Sequence, residues 1–160
     1  MPAHVEALQS ALSELGIEHE RLSEREFLVP LRGEHKLVTN TLLAVGDTCL
    51  VVEAFFMRGP DEAHDAVYRF LLQRNLRTYG VHFALDSIGD VYLTGKLPLE
   101  AISAGEVDRL LGSVLTYADE SFNPAISLGF ADAIRAEKAW RDKNGLDASN
   151  LAPFIRAEEP

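Results

Sequence analysis

Val5, Leu8, Leu12 and Leu15 recur at three- and four-residue spacing with Glu6, Gln9 and Glu14 between them, the period of an amphipathic helix that Gly16 ends. The pattern then changes. Glu26 to Arg32 reads as a short extended run, Gly33-Glu34-His35 as a turn, and Lys36 to Val45, rich in Leu, Val and Thr, as a second run. After Gly46-Asp47 a third run from Thr48 to Met57 continues with Cys49, Leu50, Val51, Val52, Phe55 and Phe56. Three strands joined by short turns predict an antiparallel meander.

Gly59-Pro60-Asp61-Glu62 reads as a helix start, with proline preset for the first turn and two carboxylates placed on the exposed amide dipoles. The helix runs to about Arg74 with Ala63, Val67, Phe70 and Leu71 on one stripe, and Asn75 closes it because asparagine tolerates the left-handed conformation. Val81 to Leu85 and Val91 to Thr94, separated by Asp86-Ser87-Ile88-Gly89-Asp90, predict a hairpin. Ser103-Ala104-Gly105-Glu106 is a capping box, flanked by the staple pair Ile102 and Val107. A regular stripe of Val107, Leu110, Leu111, Val114, Leu115 and Ala118 follows, and Asn123-Pro124 predicts a break. A last helix carries Ile126, Phe130 and Ile134 inward and stops at Asn144-Gly145.

The order is α-β-β-β-α-β-β-α-α, an α+β fold with an antiparallel five-stranded sheet. Residues 1–145 form one domain with neither an internal repeat nor a linker. Residues 146–160 read as a loose tail, whose Leu151, Phe154 and Ile155 either rest on the domain or dock in a groove.

Charge and cysteine content narrow the function classes. Twenty-five acidic against fifteen basic residues give a formal net charge of −10, and no run of lysines or arginines offsets it, which argues against nucleic-acid binding. The single cysteine, Cys49, allows no internal disulfide and suits a reducing compartment, so the cytoplasm is expected. The first residues lack a basic stretch followed by an apolar run, and no apolar stretch reaches the length of a membrane span, so neither export nor membrane insertion is expected.

Several strings together resemble the YbjN family: Val67-Tyr68-Arg69-Phe70-Leu71-Leu72-Gln73-Arg74-Asn75, Asp86 with Gly89-Asp90-Val91-Tyr92-Leu93, Asp119-Glu120-Ser121-Phe122, Leu128-Gly129-Phe130, and Glu137 with Trp140. The resemblance spans about residues 3–144. It implies a fold similar to type III secretion chaperones, small acidic dimeric proteins that hold partner segments, and hence a binding role in a regulator. It carries over no catalytic residue.

The candidate chemistry is sparse. Cys49 lies inside an apolar strand with no histidine placed beside it and reads as a small core residue. Asp61, Glu62, His64 and Asp65 offer metal-ligand atoms, but acidic residues in a first helical turn are expected from the dipole alone. His4, His19, His35 and His82 share no ligand spacing, and the adjacent carboxylates Asp119 and Glu120 point in different directions. Gly105, Gly112 and Gly129 form no phosphate loop, and Gly129 reads as a close-packing position. No catalytic residue, metal or cofactor is expected.

The most informative run is Cys49 to Met57, apolar on both alternating faces. Leu50, Val52, Ala54 and Phe56 point one way; Cys49, Val51, Phe55 and Met57 point the other, interrupted only by Glu53. One face meets the core helices. The second is too apolar to lie bare and is covered by the N-terminal helix, by a second copy in a homodimer, or by another protein. The reading is a non-enzymatic protein-binding module, chaperone-like or a regulatory adaptor, with Val51, Phe55 and Met57 as the binding residues. Its rival is a small-molecule-binding protein or enzyme with a pocket between the sheet and the C-terminal helices, near Tyr92, Tyr117 and Trp140.

Overall fold

The computed structural model describes residues 2–155. Helix α1 (Pro2–Glu14) leads into strands β1 (Glu20–Arg21), β2 (Glu26–Arg32), β3 (Val38–Val45) and β4 (Cys49–Met57). Helix α2 (His64–Asn75), strands β5 (His82–Leu85) and β6 (Val91–Pro98), and helices α3 (Ala104–Gly129) and α4 (Ala131–Lys143) follow. The sheet is antiparallel, in the order β1-β2-β3-β4-β6-β5. It has six strands, one more than the expected five. The additional strand is β1, two exposed residues without an apolar alternation to announce them.

One face of the sheet carries the core. Phe27 and Val29 of β2, Leu43 and Val45 of β3, Leu50, Val52 and Phe56 of β4, and Leu93 of β6 are all buried there with Leu8 and Leu12 of α1 and Val107, Leu111 and Val114 of α3. Phe56 joins sheet to helix: its ring meets Phe83 edge-on at 5.0 Å and Phe122 of α3 at 6.1 Å.

Two helix ends differ from expectation. Pro124 lies inside α3, which runs unbroken from Ala104 to Gly129. Proline removes one ladder hydrogen bond, but Ser121 and Ala125 on either side are buried, and packing along the whole stripe holds the turn in place. The break comes instead at Phe130, whose φ of −135° ends one helix and begins the next. Helix α2 begins at His64 and not at Pro60, because Ala63 adopts a left-handed conformation with φ 51°. The preceding turn is clasped to the α3–α4 junction: the backbone N–H groups of Asp61 and Glu62 donate to the Gly129 carbonyl at 3.0 and 3.2 Å. The Glu62 carboxylate in turn accepts from the backbone N–H of Asp132 at 2.6 Å. Gly129 is a close-packing position, since a Cβ there would sit 2.7 Å from Pro60 Cβ.

The capping box forms by half. Ser103 Oγ accepts from the Glu106 backbone N–H at 3.2 Å, while the Glu106 carboxylate turns to the Tyr79 hydroxyl, which donates to it at 3.0 Å. Beyond α4, Ser149–Phe154 forms a 3-10 turn in place of a loose segment, with Leu151 buried and the Phe154 ring 6.4 Å from Phe122. These two anchors rest on the domain; the expectation for residues 156–160 lies outside the described residues.

Candidate protein-binding surface

Because side chains alternate along a strand, the burial of Leu50, Val52, Ala54 and Phe56 under the helices sends Cys49, Val51, Glu53 and Phe55 to the opposite face. The registers extend that face across the sheet. Val51 pairs with Ala44 on one side and Lys96 on the other, Glu53 with Leu42 and Thr94, and Leu42 with Leu28. Phe55 pairs with Tyr92, and the two rings meet edge-on at 5.5 Å and 81°. The surface is thus an apolar band of Leu28, Leu42, Ala44, Val51, Phe55 and Tyr92 bordered by Glu26, Asn40, Thr94 and Lys96, with Glu53 in its middle.

Phe55 is 42% exposed, whereas Val51, Leu42 and Leu28 are half-buried by their neighbours in the sheet. Among the described residues, helices cover only the other face. Desolvation, helped by Asp86, Glu53 and Asp90, raises the pKa of the Tyr92 phenol.

Of the three residues expected to bind, the structure brings two together. Val51 and Phe55 share the open face, but Met57 is only 3% exposed and belongs to the core. The physical reason is a register shift between Phe55 and Met57, a bulge that breaks the alternation at the end of β4. Tyr92, Leu28 and Leu42 were missed as members of this surface. The alternation within β2 and β3 carried the signal for the two leucines, whereas the place of Tyr92 depends on the β4–β6 pairing. Cys49 also lies on this face, half-buried and free, and not in the core.

Several of the residues weighed for other chemistry have structural partners. Asp61 accepts from Arg58 at 2.7 Å, an exposed pair in which that hydrogen bond lowers the carboxyl pKa despite some desolvation. Among the described residues, no three His, Cys, Asp or Glu side chains group as metal ligands. Tyr92, Tyr117 and Trp140 do not share a pocket: Tyr92 faces away from the helices, and Trp140 stands exposed on α4. Tyr117 donates its hydroxyl to the Arg77 carbonyl at 3.2 Å and accepts from the Tyr79 backbone N–H at 3.1 Å. Asp119 has a structural task too. Its Oδ1 accepts from the backbone N–H groups of His35 and Lys36 at 2.8 and 3.0 Å, fastening the β2–β3 turn to α3. No helix among the described residues is long and apolar enough to cross a membrane.

The fold is shared with several solved structures, all at low sequence identity. The crystal structure of the Yersinia pestis type III secretion chaperone SycH, in complex with a stable fragment of YscM2, gives a TM-score of 0.51 at 21% identity, covering 72% of this chain and 96% of that one. A chain of the heterodimeric ExoU–SpcU complex from the type III secretion system of Pseudomonas aeruginosa gives 0.54 at 15% identity, covering 72% and 94%. Sequence relatives are nearer. The uncharacterized protein Rv0487 of Mycobacterium tuberculosis is 50% identical over 127 residues, 79% of this chain and 69% of that protein. ML2442 of Mycobacterium leprae is 44% identical over the same shares. The YbjN family, described as "Putative bacterial sensory transduction regulator", matches residues 4–127. That match takes in every strand of the sheet and all of α3 but Leu128 and Gly129, and on it this chain belongs to the YbjN family.

Proposed function

We propose that this protein is a non-enzymatic, chaperone-like or regulatory binding module that holds an apolar segment of another protein against the open face of its sheet. The observation that carries the reading is Phe55: an aromatic side chain, 42% exposed, paired with Tyr92 on a face that no helix covers among the described residues. Rigid aromatics flanked by half-buried aliphatics are the composition of a binding hot spot, where a partner removes water from area the sheet has already ordered. The shared fold supports the same reading, since the neighbours named above were solved as complexes with other proteins. The module acts in the cytoplasm as a homodimer.

A photo-crosslinking residue at Val51, introduced in a host of the same kind, tests the reading. Val51 is expected to crosslink one partner protein, and the same group at exposed Asp108 on α3 is not. The Phe55→Asp substitution is expected to remove the adduct while the far-UV circular dichroism stays native. An adduct unchanged by Phe55→Asp overturns the site.

A further inference from the structure

Glu53 stands exposed in the middle of the apolar band, and among the described residues it makes neither a side-chain hydrogen bond nor an ion pair. Its register partners, Leu42 and Thr94, carry no charge, and Lys96 sits one row away opposite Val51 without reaching it. A carboxylate in that place penalises a wholly apolar occupant, which would strip its water and give nothing back.

The two rings beside it also lack a cation. Elsewhere this chain caps its own aromatic rings: the Arg58 guanidinium lies 4.3 Å from the centroid of Phe130, Arg74 5.0 Å from Phe70 and Arg109 5.2 Å from Tyr79. Among the described residues no Lys or Arg takes such a place over Phe55 or Tyr92. The charges that act on the Tyr92 phenol, beside desolvation, are those of Asp86, Glu53 and Asp90, all negative. Across β6 the neighbour of Tyr92 is Ala84, too small to cover its ring.

We infer that the segment held on this face presents an arginine or lysine between apolar side chains, its cation set against the Phe55 and Tyr92 rings and paired with the Glu53 carboxylate. This deepens the proposed function by naming the chemistry of the partner segment, and it rests on that function. Glu53 and Phe55 are two residues apart on one face of β4, about 7 Å along the strand, so one guanidinium or ammonium group can serve both. Each contact is modest at a wet surface, but aliphatic side chains that shut out water on either side strengthen both. The formal charge of −10 draws a basic segment to the chain and repels an acidic one.

Two probe peptides test this on the full chain. One is acetyl-Leu-Thr-Arg-Thr-Leu-amide, which puts a cation between two leucines on one side of an extended segment; the other has Gln for Arg. Followed by amide chemical shifts, the arginine peptide is expected to move the signals of Glu53, Phe55 and Tyr92 and to bind at least ~10-fold more tightly than the glutamine peptide. Glu53→Gln, at an exposed position, is expected to abolish that preference with unchanged circular dichroism, and added salt to weaken it. Equal binding of the two peptides, a preference that survives Glu53→Gln, or no shift at these residues overturns the inference. The photo-crosslink at Val51 reports on the face separately. An adduct that Phe55→Asp removes and Glu53→Gln leaves at full yield keeps the binding face and sinks the cation, whereas an adduct indifferent to Phe55→Asp takes away both.

Discussion

Asn75 and Phe83 are joined as two paired strands are: the side-chain amide of Asn75 donates to the Phe83 carbonyl and accepts from the Phe83 N–H. A residue expected to end a helix in the left-handed conformation does another job. Helix α2 closes on Leu76 in ordinary helical geometry, and Asn75 reaches across to finish the sheet.

Asn75→Ala therefore leaves two backbone groups at an open edge. A loss of about 1–2 kcal/mol in stability is expected in urea unfolding. Species larger than those of the wild type are expected by light scattering as the exposed edge pairs with other chains. Equal stability and no growth in size would show that water satisfies Phe83 equally well.

Asp119 ties fold stability to pH. Desolvation works against its carboxylate, but the backbone N–H groups of Lys36 and His35 outweigh it and lower the pKa below the ordinary value. A lowered folded pKa stabilises the protein above the unfolded value of about 3.9, and this contribution is lost as pH falls through the folded one. Asp119→Asn is expected to cost stability at pH 7 and to flatten the acid limb of a stability profile. A parallel shift of the whole curve with the same acid limb would assign the acid sensitivity elsewhere.

Ala63 sits at φ 51°, where a Cβ is crowded by the neighbouring carbonyl. Glycine removes that crowding, and Ala63→Gly is expected to raise stability by about 1 kcal/mol, or roughly 2–4 °C in Tm for a chain of this size. A lower Tm would mean that ordering a glycine there outweighs the relief.

The adjacent residues Phe55 and Phe56 separate fold from function. Phe56→Ala empties a fully buried site between Phe83 and Phe122 and is expected to cost about 3–5 kcal/mol in unfolding experiments. Phe55→Asp changes an exposed ring and is expected to cost far less. Similar losses for the two would mean that Phe55 serves the fold, and its use as a binding probe would fail.

The strand alternation that distinguishes these two phenylalanines was legible in the sequence, as were the meander, the α2 stripe and the long stripe of α3. What escaped was set by tertiary context. Glu20 and Arg21 have no apolar signal and become a strand only because Leu28 and Phe27 offer an edge. Pro124 carries the strongest local breaking signal in the chain, yet buried neighbours override it. Met57 fits the alternation, but the bulge that turns it inward is a property of the pairing with β6 and has no mark in β4 itself.

Binding of a partner protein to the face of Val51 and Phe55, which no helix covers among the described residues, is tested most directly by the photo-crosslink at Val51. A single partner adduct is expected at Val51, lost on Phe55→Asp and kept on Leu76→Asp. An adduct indifferent to Phe55→Asp, or none at Val51 while Leu76 crosslinks a foreign protein, would contradict it and move the binding site to the α2–β5 surface.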